Sequence, residues 1–572
     1  MVPVLLLLSV FFGYLIMYRF YGRYLSRRIF GVSPERVTPS VALEDGVDYV
    51  PTRKQVIFGH HFASIAGTGP IVGPAIAIIW GWVPALVWIF VGSVFMGAVH
   101  DFGSLIISLR NQGKSISDYT SKYVNARTRW LFFLIVFLEL WIVISVFGVV
   151  IASIFKIFST SVWPFWLQIP IAVFLGWVLY KKGGNLFIST LGAVAVMYLT
   201  IWAGSFFPVE LPVVLGIPPT GTWTIILLLY AFIASVLPVT WLLQPRDFIN
   251  AYQLVLAMSF MAIGVLVTGL SGRLHMVAPA MQLHPEGAPP LIPFLFITIA
   301  CGAISGFHSL VSSGTTSKQI RNEKDALFVG YGSMLTEGLL ALLVLIAVGA
   351  GIGLGMPGDT GRILTGPEAW QAHYFSWSAA GGLDKNLGAF VQGASNMLSG
   401  IGIPPSVGVV IMGVFVASFA GTTLDSATRI QRYAIGEIFS GAKIKLFQNK
   451  YVTSAIAVLS SAALAFATGA DGTGALKLWP LFGAVNQTLA ALALIIVTIY
   501  LKDRGGLKWL FSGIPAVVMS VVTLWATVIN QKHYFDTGNH LLVVVNFIVL
   551  IIMLWIMIEG YKRLITPAKN YS

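Results

Sequence analysis

Seven ionisable residues lie inside stretches apolar enough to cross a membrane: His60, His61, Asp101, Glu139, His308, Glu337 and Asp425. A charge at membrane depth is costly, so such residues mark ion paths, proton relays or ligand sites. Carboxylic acids and imidazoles exchange protons in the working range when burial and neighbouring charge tune them. Beside them stand groups suited to a polar solute. Ser64, Gly67, Thr68 and Gly69 fall in one stretch, Ser305, Phe307, His308 and Ser309 in another, and Asn486 in a third. We assign substrate contact to these nine. We assign proton coupling or gating to His60, His61, Asp101, Glu139, Glu337 and Asp425.

The segment FGHHFASIAGTGPIVGP (58–74) is the centre of this pattern. Its glycines weaken a helix, and Pro70 and Pro74 each remove a backbone donor. Backbone groups freed at membrane depth are tolerated only where protein or a wet cavity covers them. The expectation is a helix broken at Gly67–Gly69, with the break touching substrate. The stretch ACGAISGFHS (300–309) repeats the same features and predicts a second break around Gly302–Gly306.

Plainer readings exist for each group. Stripes of Ser, Thr and Gly also serve as helix-packing surfaces. Asp425 and Arg429 are four residues apart and able to pair at the inner boundary. His60, His61 and His308 could share a metal, although no HxxxH or HExxH spacing is present.

The elements that hold these residues follow from composition. The chain of 572 residues is 57% hydrophobic and only 10% charged, against about 25% charged in soluble proteins. Its mean hydropathy is +0.84. It is an all-α polytopic membrane protein in which the lipid bilayer is the first partner. The net charge of +13 does not point to nucleic acid, because the basic residues sit in short loops between apolar runs. A single cysteine, Cys301, excludes a disulfide framework. No Walker A, GxSxG or Rossmann motif is present. We expect no enzyme activity and no cofactor, with any transport driven by an ion gradient.

At about 20 residues per span, about fifteen transmembrane helices are expected. Basic residues recur in every second loop: Arg19, Arg23, Arg27 and Arg28; Arg110, Lys114 and Arg127; Lys181 and Lys182; Arg246; Lys318 and Arg321; Arg429, Arg432 and Lys443; Lys502 and Arg504; Lys562 and Arg563. The loop 355–403 instead carries Arg362 and Lys385 against Asp359, Glu368 and Asp384. By the positive-inside rule the N-terminus is outside and the C-terminus cytoplasmic. The two broken helices then run in opposite directions, the mark of a 5+5 inverted repeat with discontinuous helices. The expected organisation is an extra helix and basic loop (1–54), a first five-helix repeat (55–206), two intervening helices (207–290), a second repeat with the extracellular loop 355–403 (291–501), and two closing helices with a short tail (502–572).

Four motifs carry a resemblance: FGHHFASIAGTGPIVGP (58–74), GAVHDF (97–102), SFAGTTLDSATRIQRYAIGE (418–437) and LWPLFGAVNQTLAALAL (478–494). In these the chain resembles the carbon starvation protein A family. The resemblance implies a carrier of the prokaryotic cytoplasmic membrane, with the five-plus-five fold of the amino acid–polyamine–organocation superfamily. It implies uptake of short peptides during nutrient limitation, or of pyruvate. The resulting expectation is a proton-coupled importer of short peptides, with pyruvate or another small carboxylate as the alternative. A channel and a metal-binding membrane sensor are the readings from other classes. Oligomeric state is left open.

Overall fold

The computed structural model describes residues 1–358, 361–440 and 445–566. Asp359 and Lys443, counted above among the loop charges, lie outside the described residues. Eighteen helices carry the architecture. They are α1 (Val2–Ile29), α2 (Lys54–Ile65), α3 (Gly69–Trp80), α4 (Trp82–Leu109), α5 (Ala126–Ile157), α6 (Val162–Lys181), α7 (Leu186–Gly204), α8 (Pro219–Val236) and α9 (Leu243–Leu270). Then follow α10 (Leu291–Thr298), α11 (Gly306–Gly314), α12 (Gly332–Gly349), α13 (Leu383–Ser399), α14 (Pro405–Phe439), α15 (Lys450–Ala465), α16 (Trp479–Lys502), α17 (Leu510–Asp536) and α18 (His540–Ile565). Among the described residues, 12 helices are long and apolar enough to cross a membrane, or 13 if the bent pair α2–α3 is one span. The helix α15 is apolar but has only 16 residues, and α10 and α11 have 8 and 9.

Both expected breaks are present. The pair α2–α3 bends by 46° across residues 66–68, where the Gly-Thr-Gly-Pro sequence cannot hold a regular helix. Residues 299–305 separate α10 from α11, and Gly302 takes φ +90 there, which L side chains rarely adopt. The two breaks face each other at close range. A Cβ added to Gly69 would lie 2.5 Å from the Cys301 Sγ, so only glycine permits this approach.

The surrounding helices are sorted by burial. Helix α16 is wholly enclosed across its apolar window, α14 and α12 nearly so, and α7 and α1 mostly exposed. The interior therefore holds α14 packed along α5, with α16 behind the second break. Exposed Leu, Phe and Trp on α1, α6, α7 and α18 form the lipid-facing belt. Around the breaks the packing is paired. Helix α2 lies on α9 as α11 lies on α16, and α3 lies on α12 as α11 lies on α4.

Gly302→Ala would add strain at the positive φ and a contact 2.7 Å from the Ala341 Cβ. We expect a cost on the order of 1–3 kcal/mol, read as a lower thermal midpoint in detergent. Gly192→Ala, inside α7 with no heavy atom within 4 Å, should not lower the midpoint, since Ala favours a helix over Gly.

Candidate functional site

The second break exposes backbone groups, and nearby side chains bond them. The Gly302 N–H donates to Glu337 Oε1 at 3.1 Å, and the Phe307 N–H to Asn486 Oδ1 at 2.9 Å. The Gln487 amide donates to the carbonyls of Phe296 (2.9 Å) and Ile304 (3.1 Å). The Trp88 indole donates to the Ile299 carbonyl at 2.9 Å. Helices α4, α12 and α16 thus supply the partners that an unwound segment requires.

Glu337 continues into a buried polar chain. His308 Nε2 lies 3.2 Å from Glu337 Oε2, and the opposite nitrogen, Nδ1, lies 2.9 Å from Asp101 Oδ2. The other Asp101 oxygen receives His100 Nδ1 at 2.8 Å. When Asp101 is ionised it only accepts, and both rings then donate through Nδ1. All four side chains are fully buried. The chain His100–Asp101–His308–Glu337 therefore runs from α4 across α11 to α12 and ends on the backbone of the break. An imidazole between two carboxylates can hold a proton and pass it on.

A second charged cluster lies on the other side of the core, between α2, α8, α9 and α14. His60 Nδ1 meets Asp247 Oδ2 at 2.6 Å. Arg246 pairs with Asp425, and Tyr230 hydroxyl bonds both, 2.6 Å from the Arg246 guanidinium and 2.8 Å from Asp425 Oδ2. The Arg246 guanidinium also lies over the rings of Phe165 and Tyr230 at 5.6 and 5.3 Å. Asn250 reaches Thr422 at 3.3 Å along the same seam.

The remaining sequence-predicted residues fall as follows. At the first break, Ser64 Oγ bonds Ser426 Oγ at 2.8 Å, and Thr423 Oγ1 donates to the Ser64 carbonyl at 3.0 Å. Gly67 lies against Thr423 and Phe147, and Thr68 Oγ1 is buried with no hydrogen-bond partner. Gly69 touches Cys301 across the gap. Ser305 Oγ donates to Asn486 Oδ1 at 3.1 Å, leaving Asn486 Nδ2 unpartnered. Phe307 is buried in the same layer. Ser309 Oγ is occupied by its own helix, donating to the Gly306 carbonyl at 2.7 Å. His61 Nδ1 lies 2.8 Å from Thr316 Oγ1. Glu139 is buried on α5, with neither carboxyl oxygen bonded and no part in either cluster. The three histidines considered for a metal do not converge through Nδ1, whose partners are Asp247, Thr316 and Asp101.

Two expectations are corrected. Asp425 does not pair with Arg429. Arg429 turns away to Asp48 at 2.7 Å and to the Ala234 and Leu237 carbonyls, because those acceptors crowd the end of α8. Arg246 is not a solvated loop cation. It lies inside α9 with a side chain 1% exposed. The neighbouring Asp247 and the ring of His100 were not singled out from the sequence. A polar stripe Asp247–Asn250 at helical spacing, facing the Thr422–Asp425 stripe of α14, carries that information. In the loop before α2, burial pushes the Asp48 carboxyl up, but Arg429 and Arg432 outweigh it and hold it below its ordinary range. This loop group ties the segment before α2 to the end of α14.

The family model described as "Carbon starvation protein CstA" matches residues 2–357 and 367–526. The chain is 33% identical over 582 residues to the peptide transporter CstA of Campylobacter jejuni, covering 92% of this chain and 80% of that protein. It is 32% identical over 576 residues to the pyruvate/proton symporter BtsT of Escherichia coli, covering 90% and 79%. Its fold is similar to that of a solved Eremococcus coleocola manganese transporter, with a TM-score of 0.50 at 12% identity, over 91% of this chain and 99% of that one. At that identity the likeness concerns the fold alone.

Removing one partner of a buried ion pair costs about 3–5 kcal/mol, because the other charge is left uncompensated. Asp425→Asn should therefore lower the thermal midpoint sharply. The double change Arg246→Met/Asp425→Asn should recover most of it, since no buried charge is then stranded.

Proposed function

We propose, from the premise that the chain belongs to the carbon starvation protein CstA family, that it is a proton-coupled secondary transporter importing short peptides across a prokaryotic cytoplasmic membrane. It is a carrier, not an enzyme. The observation that carries this reading is the meeting of two helix breaks beside the buried chain Asp101–His308–Glu337. The half-helix N-terminus at a break carries a positive partial charge, which favours a substrate carboxylate. The attached acid–imidazole chain provides a proton site on the same moving segment.

In this reading the substrate lies between residues 66–69 and 301–307. Ser64, Gly67, Thr68, Gly69, Ser305, Phe307, His308, Ser309 and Asn486 line or shape that space. Asp101 and Glu337 handle the proton with His308. His60, His61 and Asp425 gate the cytoplasmic half or tune its charge, and the isolated Glu139 is a proton-coupling or gating residue near mid-membrane. The fold reading is about fifteen spans with a 5+5 inverted repeat. The N-terminus is outside and the C-terminus cytoplasmic, and the domain boundaries are those given above. The paired packing of α2 on α9 and α11 on α16 supports the repeat.

The second reading, import of pyruvate or a similar small carboxylate, is favoured by one observation. A relative 32% identical over 90% of the chain is named a pyruvate/proton symporter. Proteoliposomes separate the two. With an inward proton gradient, a labelled dipeptide should accumulate, saturate, and exchange faster against unlabelled dipeptide inside. Accumulation of pyruvate alone would select the second reading. Uptake indifferent to the imposed pH gradient would remove the proton, and absence of trans-stimulated exchange would remove the carrier.

A further inference from the structure

The residue Cys301 is given no role of its own in the transport reading, although it sits in the second break and borders the proposed substrate space. Its Sγ, an imidazole nitrogen of His308 and a carboxylate oxygen of Glu337 all lie within 4.8 Å of one another. The three side chains come from separate structural units: the unwound segment, α11 and α12. They are buried from solvent.

The bonding around them is built in the manner of a metal site. His308 Nδ1 faces Asp101 at 2.9 Å, which leaves Nε2 on the side of Glu337 and Cys301. Asp101 is held in turn by His100 at 2.8 Å. A ligating histidine ordinarily donates its other ring N–H to a carboxylate, which fixes the tautomer and the ring angle. Glu337 is anchored by one oxygen to the Gly302 N–H at 3.1 Å, and its other oxygen faces His308 Nε2 at 3.2 Å. These two buried atoms do not meet with good hydrogen-bond geometry. The Cys301 thiol donates weakly to Ser305 Oγ at 3.4 Å and is also hydrogen-bonded with His308. An imidazole, a carboxylate and a thiol thus meet with their ligand atoms within 4.8 Å of one another, where a cation can replace the contacts they now make among themselves.

We propose that Cys301, His308 and Glu337 form a binding site for a divalent transition cation of the zinc class. Sulfur, imidazole nitrogen and carboxylate oxygen are the zinc ligand types, and a hard cation such as magnesium would not choose the sulfur. Tetrahedral zinc holds S, N and O ligands about 3.3–3.8 Å apart at its usual bond lengths, so the three atoms need to close by only about an ångström. Binding releases the thiol proton to solvent and leaves the fourth position open. The bound ion cross-links the unwound segment to α11 and α12 and so immobilises the second break. The inference rests on this geometry and stands whether or not the transport reading does.

The test is cobalt titration of the purified, chelator-stripped full-length protein, with zinc as competitor. One equivalent of cobalt should produce a near-ultraviolet sulfur-to-cobalt charge-transfer band, and zinc should displace it. Cys301 is the chain's single cysteine, so the band in the unmodified protein can arise nowhere else, even if a variant fails to fold. Cys301→Ser should abolish the band. Asp101→Asn should keep it but weaken zinc binding about 10–100-fold, the usual cost of losing such an orienting carboxylate. Zinc should also raise the thermal midpoint of the unmodified protein. Saturating cobalt with no charge-transfer band, or zinc affinity unchanged in a folded Cys301→Ser protein, would overturn the proposal.

Discussion

A backbone broken inside a membrane leaves amide groups that no lipid can bond, and this constraint organises the protein. Each such group costs several kcal/mol if left alone. Here the second break is bonded by Glu337, Asn486, Gln487 and Trp88, and the first is bonded by Thr423. Those side chains come from four helices, α4, α12, α14 and α16. The breaks are therefore not loose points in the bundle. They are the places where its inner helices are joined by polar contacts.

The charged groups follow from the same requirement. Glu337 is both a partner of the Gly302 amide and the end of the chain through His308 to Asp101. Glu337 thus joins that chain to the backbone of the break. The Arg246–Asp425 pair and the His60–Asp247 pair sit beside the other broken helix and tie α2 and α14 to α9. Two broken helices, each with a buried ionisable cluster at its flank, form a pair of joints whose bonding depends on charge. That arrangement gives a carrier a way to link proton occupancy to the tilt of half-helices.

Much of this was legible in the sequence. The Gly-Thr-Gly-Pro and Cys-Gly-Ala-Ile-Ser-Gly runs mark the breaks, because glycine and proline act locally on the helix. His308, Asp101 and Glu337 stood out because charge in an apolar stretch has few explanations. Partners were less legible. Arg246 and Asp247 lie between two apolar runs and read as a loop, yet α9 begins at Leu243 and carries both into the core. Asn486 read as a solvating amide, but it spends its oxygen on the backbone and hydroxyl of the break. Asp425 has a cation four residues along its own helix and takes one from another helix instead. Helical spacing gives the face a residue occupies. It does not give which of several long side chains wins a buried carboxylate.

The central claim is that protons act through Glu337 on the second break. Glu337→Gln tests it most directly, because the amide oxygen can still accept from the Gly302 N–H while the group no longer titrates. Substrate exchange in the absence of a gradient should persist in that variant, and accumulation driven by an inward proton gradient should be lost. Undiminished proton-driven accumulation by the folded Glu337→Gln protein would contradict the account.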